Sequence, residues 1–273
     1  TNKSSYMVKH FKKYYQFVKK RYLKSSSKVI EIGSNDGSLL KNFNPLWAIV
    51  LSLLVFNLYP IPFEILLSFV GDWVYFNPSE VEMSIFGNVL LYPVKSNLTM
   101  ILSSPFMVYF IVWRMKKRDL DLTNELGLFF FNKSIFFKSV LLLGLFLLLE
   151  EIYMRVLVID VPVSFLKFIL SEPLILGVIT TILIAPILEE FVFRGFLLSQ
   201  LRNTLGGWAA IGLSSLAWTS LHFQYELKIL FILFALGLIL GFLRWQYNSL
   251  FLVMVLHAIN NLVSFTFAYF TFV

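Results

Sequence analysis

From Asn44-Pro45 onward the chain is a succession of long apolar runs parted only by short charged patches. A backbone that enters hydrocarbon has to satisfy its own N–H and C=O groups, so runs of this length fold as helices, and a chain made of them folds as a helix bundle. With about 20 apolar residues needed to cross a bilayer core, the runs place spans near 46–70, 97–113, 136–159, 172–200, 208–223, 228–246 and 250–270. The expected class is all-α: a polytopic transmembrane bundle of about seven helices over residues 45–273, preceded by a short soluble segment, 1–44. Asn57, Pro60, Pro62 and Glu64 interrupt the first run and predict a broken helix there. Hydrophobic residues make up 58% of the chain and charged residues 14%, which excludes an ordinary soluble domain. There is no cysteine, which removes disulfide frameworks, thiolate-held metals and thiol nucleophiles together.

The net charge of +7 is local. Residues 1–44 carry ten Lys or Arg against two Asp or Glu, and the rest of the chain sums to −1. A nucleic-acid partner is therefore not expected; Lys9, Lys12, Lys13, Lys19, Lys20 and Arg21 suit an anionic lipid surface instead. Arg114, Lys116, Lys117 and Arg118, with Arg202 and Arg244 on the same side, mark a cytoplasmic face and put the N-terminus there, while Asp72, Glu80 and Glu82 fall in an outward loop. The first forty residues hold no apolar signal-peptide core, and the chain begins at Thr1, as a trimmed or partial sequence would. Within the tail, Val29-Ile30-Glu31-Ile32-Gly33-Ser34-Asn35-Asp36-Gly37 reads as a strand and a glycine-rich turn. It is similar to the first motif of class I S-adenosylmethionine methyltransferases. A lone strand and turn buries no core, so a fragment without methyl transfer is expected.

Ionisable side chains inside apolar spans are costly and mark functional candidates. Here they gather in the last hundred residues: Glu189, Glu190 and Arg194 in one span, His222 at the end of the next, His257 with Asn261 in the last. On a helix Glu190 and Arg194 are i,i+4 and can neutralise each other; Glu189 points about 100° away and stays available. His257 and Asn261 are also i,i+4 and share a groove. Gly206-Gly207 predicts a hairpin that brings Glu189 and His222 to one depth, on the order of 25 Å from the turn at ~1.5 Å per residue. Small residues at Ala209, Ala210, Ser214, Ser215, Gly237 and Gly241 suit close helix packing. A carboxylate and an imidazole around one water can take its proton, and an imidazole with an amide can hold the oxyanion formed when that water attacks a carbonyl. The set reads as peptide-bond hydrolysis.

These residues resemble the CAAX protease and bacteriocin-processing family of intramembrane glutamate proteases over about residues 135–270. The family's EExxxR stands as Glu189-Glu190-Phe191-Val192-Phe193-Arg194 followed by Gly195, its FxxxH as Trp218-Thr219-Ser220-Leu221-His222, and its HxxxN as His257-Ala258-Ile259-Asn260-Asn261. The resemblance implies that Glu189 and His222 activate water, that His257 and Asn261 form the oxyanion hole, and that Glu190 with Arg194 supports the site. It implies no cofactor, though Glu189, His222 and His257 could bind zinc in principle. The implied partners are the lipid bilayer and a peptide or membrane-protein substrate, with a prenylated C-terminus among the candidates. Trp218 in the aromatic position concerns packing near His222.

Competing readings are weaker. A second EExxxR, Glu150-Glu151-Ile152-Tyr153-Met154-Arg155, has no following glycine and no histidine at the second motif's spacing, and reads as an interfacial charge cluster. No HExxH is present, Gly71-Asp72 lacks a partner aspartate, and Gly212-Leu213-Ser214 lacks the glycine a rhomboid-like serine would have. Asn260 reads as a helix-packing hydrogen bonder. The alternative of another class is a catalytically silent immunity or scaffold protein that binds a partner peptide in the same cavity.

Overall fold

The computed structural model describes residues 43–74, 93–160 and 174–272. The basic tail through Asn42, its methyltransferase-like motif, and Glu80 and Glu82 lie outside the described residues. The described chain is helical: α1 Pro45–Leu58, α2 Ile61–Val74, α3 Pro93–Lys116, the short α4 Leu122–Leu126, α5 Lys133–Val156, α6 Leu174–Leu205, α7 Gly207–Thr219, α8 Leu227–Tyr247 and α9 Leu250–Phe272. No strand forms among the described residues beyond a single bridge between Leu128 and Ser249. The expected helix-bundle membrane fold is the one observed.

Among the described residues, five stretches are long and apolar enough to cross a membrane: Pro45–Leu67, Asn97–Lys116, Leu174–Leu205, Leu227–Tyr247 and Leu250–Thr271. Two of the seven expected spans do not qualify among the described residues. Helix α5 is 24 residues long but carries Lys133 and Lys138 near one end and Glu150, Glu151 and Arg155 near the other. Helix α7 has 13 residues, about 20 Å at ~1.5 Å per residue, and only a 3-10 turn at Ser220–His222 prolongs it. The first run is broken as its prolines predict: α1 stops at Leu58 and α2 resumes at Ile61.

Helix α6 is the centre, contacting α1, α3, α4, α7, α8 and α9. It is not a uniform α-helix. It widens into π geometry over Ile179–Ile184 and again over Glu190–Leu197, and such bulges recur at functional sites because they re-aim side chains and release backbone groups. Pro186 accounts for the first. It has no N–H, and the Ala185 N–H reaches back to Thr180 rather than Thr181. The Thr181 carbonyl thus loses both donors a helix could offer it.

The hairpin at Gly206-Gly207 forms as expected, with Gly206 at φ 87° closing α6 against α7. Small residues then let α8 approach α7. A Cβ on Gly237 would stand 3.0 Å from Cβ of Ser215, and one on Gly241 would stand 3.2 Å from Ile211. Ala210, Ser214 and Ser215 are buried as that packing requires, whereas Ala209 is exposed and takes no part. At the other end, Asp121 caps α4 by accepting the N–H groups of Thr123 and Asn124, and a hydrogen bond from the Asn124 side chain, together with these backbone bonds, holds its carboxyl below the usual carboxylate range. Gly127 follows in the left-handed region at φ 66°, against the buried guanidinium of Arg244, which donates to the Glu125 carbonyl and the Asn248 side chain.

Candidate active site

The second π segment begins at Glu190, so two adjacent carboxylates on α6 part company. Glu190 and Arg194 turn into the bundle and are both fully buried. Arg194 Nη1 donates to Glu190 Oε1 at 2.9 Å, Nη2 donates to the Gly237 carbonyl on α8 at 3.3 Å, and the guanidinium stacks 4.7 Å over the Trp218 ring. A charge in this setting is tolerable only because it is paired and hydrogen-bonded. The i,i+4 clamp is present as the spacing implied.

The clamp reaches a third helix. Glu190 Oε1 lies 2.8 Å from Nδ1 of His257 on α9. A carboxylate only accepts, so Nδ1 carries a proton, and Nε2 is the nitrogen left to face elsewhere. It faces Glu189: the two are 3.9 Å apart, with the Glu189 side chain 13% exposed. Glu189 also accepts a hydrogen bond of 2.5 Å from the indole N–H of Trp218 on α7. His222, one turn beyond, sets Nδ1 3.3 Å from the Trp218 carbonyl and lies edge-on to that indole, with ring centroids 5.2 Å apart. Tyr225 stacks on the far side of His222. Asn261 donates to the orphaned carbonyl of Thr181 at 2.9 Å, and so ties α9 to the first π segment.

Glu189, His222, His257 and Asn261 all border one cavity of about 720 Å³ between the helices, within the range of sites that enclose small ligands or a peptide segment. All four expected residues therefore share a single space. Glu190 and Arg194 lie behind it. Among the described residues no three His, Asp or Glu side chains are grouped as metal ligands.

Three features escaped the sequence reading. Trp218 is a hydrogen-bond donor to Glu189 as well as a packing group near His222; the signal was available in the indole N–H, which a phenylalanine at that position lacks. The second EExxxR is not remote: Glu150, Glu151 and Arg155 border the same cavity from α5. Its pair differs in kind, since Arg155 and Glu151 meet at 2.5 Å with side chains 79% and 45% exposed. Asn260, taken as a packing group, borders the cavity and donates weakly to Asn261 at 3.4 Å.

The family model of the type II CAAX prenyl endopeptidase, Rce1-like, matches residues 171–263. This segment is similar to the CAAX prenyl endopeptidases over about a third of the chain. The match begins just before α6 and ends within α9, so it takes in the EExxxR, FxxxH-like and HxxxN elements and every helix that supplies the clamp, and it leaves out α1 to α5. Neither the curated proteins nor the solved structures yield a match to the chain.

Proposed function

We propose that the protein is an intramembrane endopeptidase in which Glu189, assisted by His222, takes the proton of a water as its oxygen attacks a peptide carbonyl. The tetrahedral oxyanion is received by Nε2 of His257, in the doubly protonated ring, and by the second amide hydrogen of Asn261, whose first is given to Thr181. Collapse breaks the C–N bond, and the departing amine takes the proton held by Glu189. Glu190 and Arg194 keep His257 aimed. Each role draws on ordinary acid–base and oxyanion chemistry, together worth several powers of ten in rate.

The observation that carries this reading is the convergence of Glu189, His222, His257 and Asn261, from three helices, on one cavity inside a bundle whose matching segment is CAAX-protease-like. The site sits on membrane helices, which suits a membrane-bound peptide or protein substrate; a prenylated C-terminal peptide is the first to try. In this reading the enzyme lies in the cell membrane with its N-terminus cytoplasmic.

The test is cleavage of a prenylated peptide by the purified protein in lipid. Wild type should cleave and Glu189→Gln should not. Equal cleavage by both would overturn the mechanism. Peptide binding by both without cleavage would favour the silent scaffold.

A further inference from the structure

Trp218 on α7 touches both Glu189 and Arg194 of α6. Its indole N–H donates to Glu189 Oε2 at 2.5 Å. The face of its ring lies under the Arg194 guanidinium at 4.7 Å. The ring makes T-shaped contacts with His222 and His257, with ring centroids 5.2 and 5.4 Å away. The side chain is 1% exposed, so it has no freedom to leave these contacts without displacing its neighbours.

The directional part of this arrangement concerns Glu189. Its carboxylate projects into the cavity, and the nearest nitrogen of His257 is 3.9 Å away, beyond direct hydrogen bonding. Without the indole, the side chain would be free to rotate among rotamers that point away from His257. We infer that Trp218 is a positioning residue for the reaction: its N–H holds Oε2 of Glu189, the oxygen nearest Nε2 of His257, and so keeps the carboxylate turned toward His257 and the attacking water, while the ring, through Arg194, couples that carboxylate to the buried clamp. The inference rests on the hydrolytic reading of the same site.

A phenylalanine preserves an aromatic face for Arg194 and the two imidazoles and deletes the N–H. Trp218→Phe should therefore lower kcat about 10- to 100-fold, the loss expected for a hydrogen bond to a charged group, while KM changes little. A purely structural indole would lower the midpoint and leave the kcat of the folded fraction intact, and that result would overturn the proposal. A second measurement does not depend on activity. The Raman band that reports indole N–H hydrogen bonding, isolated as the difference between wild type and Trp218→Phe, should move toward the unbonded position in Glu189→Ala. An unmoved band overturns the proposal even where the variants are inactive. If wild type cleaves no peptide yet the band moves, the hydrolytic reading fails while the indole's hold on the carboxylate stands.

Discussion

The side-chain amide of Asn261 donates to the backbone carbonyl of Thr181, 80 residues earlier in the chain, at 2.9 Å. The carbonyl needs that donor because Pro186 has no N–H and Ala185 gives its own to Thr180. Asn261→Leu should cost about 1–3 kcal/mol, the usual price of leaving a buried carbonyl unpaired, seen as a lowered thermal midpoint. Adding Pro186→Ala supplies a backbone N–H within reach of Thr181 and should recover part of the loss. A double variant no more stable than Asn261→Leu would show that the proline does not create the need.

Two Glu–Arg pairs with identical spacing should respond oppositely. Glu190 and Arg194 are fully buried, whereas Glu151 and Arg155 are largely in the open. Arg194→Ala removes one partner of a buried ion pair and should destabilise by about 3–5 kcal/mol. Arg155→Ala should stay within about 1 kcal/mol of wild type. Thermal or denaturant unfolding in detergent reads both.

Glu150 borders the cavity but lies on α5, outside the matching segment. Glu150→Gln should alter substrate binding and spare the chemistry, with KM changed by less than about tenfold and kcat near wild type, whereas loss of a general base costs about 100- to 10,000-fold. Steady-state kinetics on the prenylated peptide separates the two, and a collapse of kcat in Glu150→Gln would move the catalytic carboxylate to α5.

Gly127 is held at φ 66°, and a Cβ there would lie 2.4 Å from the Arg244 guanidinium. That guanidinium is fixed by the Glu125 carbonyl and the Asn248 side chain. Gly127→Ala combines left-handed strain of about 1–2 kcal/mol with a collision, so it should lower the thermal midpoint, and Arg244→Lys in the same background should not restore it because a lysine cannot span both partners.

Glu189 already holds the Trp218 N–H, and His257 already holds Glu190. Water activated by a carboxylate needs no metal ligand set, so a strong chelator should leave peptide cleavage unchanged. Loss of activity on chelation, restored by zinc, would assign Glu189, His222 and His257 to a metal instead.

Much of the site was legible because its chemistry is expensive. Glu189, Glu190, Arg194, His222, His257 and Asn261 stand out in apolar spans whatever their neighbours are, and i,i+4 spacing pairs Glu190 with Arg194 through helix geometry alone. The spans near 228–246 and 250–270 were equally plain, since uninterrupted apolar length leaves helix as the available form. The count of spans was less legible. Charged residues at the ends of α5 and the shortness of α7 depend on where helices begin and stop, which capping and the 3-10 turn decide.

The sequence by itself determined that this chain is a membrane helix bundle and which ionisable residues of its last hundred positions lie within apolar spans, because hydrocarbon admits polar groups only where something compensates them. Tertiary structure decided the partners. That His257 meets Glu190 rather than standing alone, that Trp218 donates to Glu189, and that Asn261 answers the carbonyl orphaned by Pro186 all depend on the π turns of α6 and the approach of α7 and α9. Contacts between helices far apart in the chain are set by packing, and no local spacing encodes them.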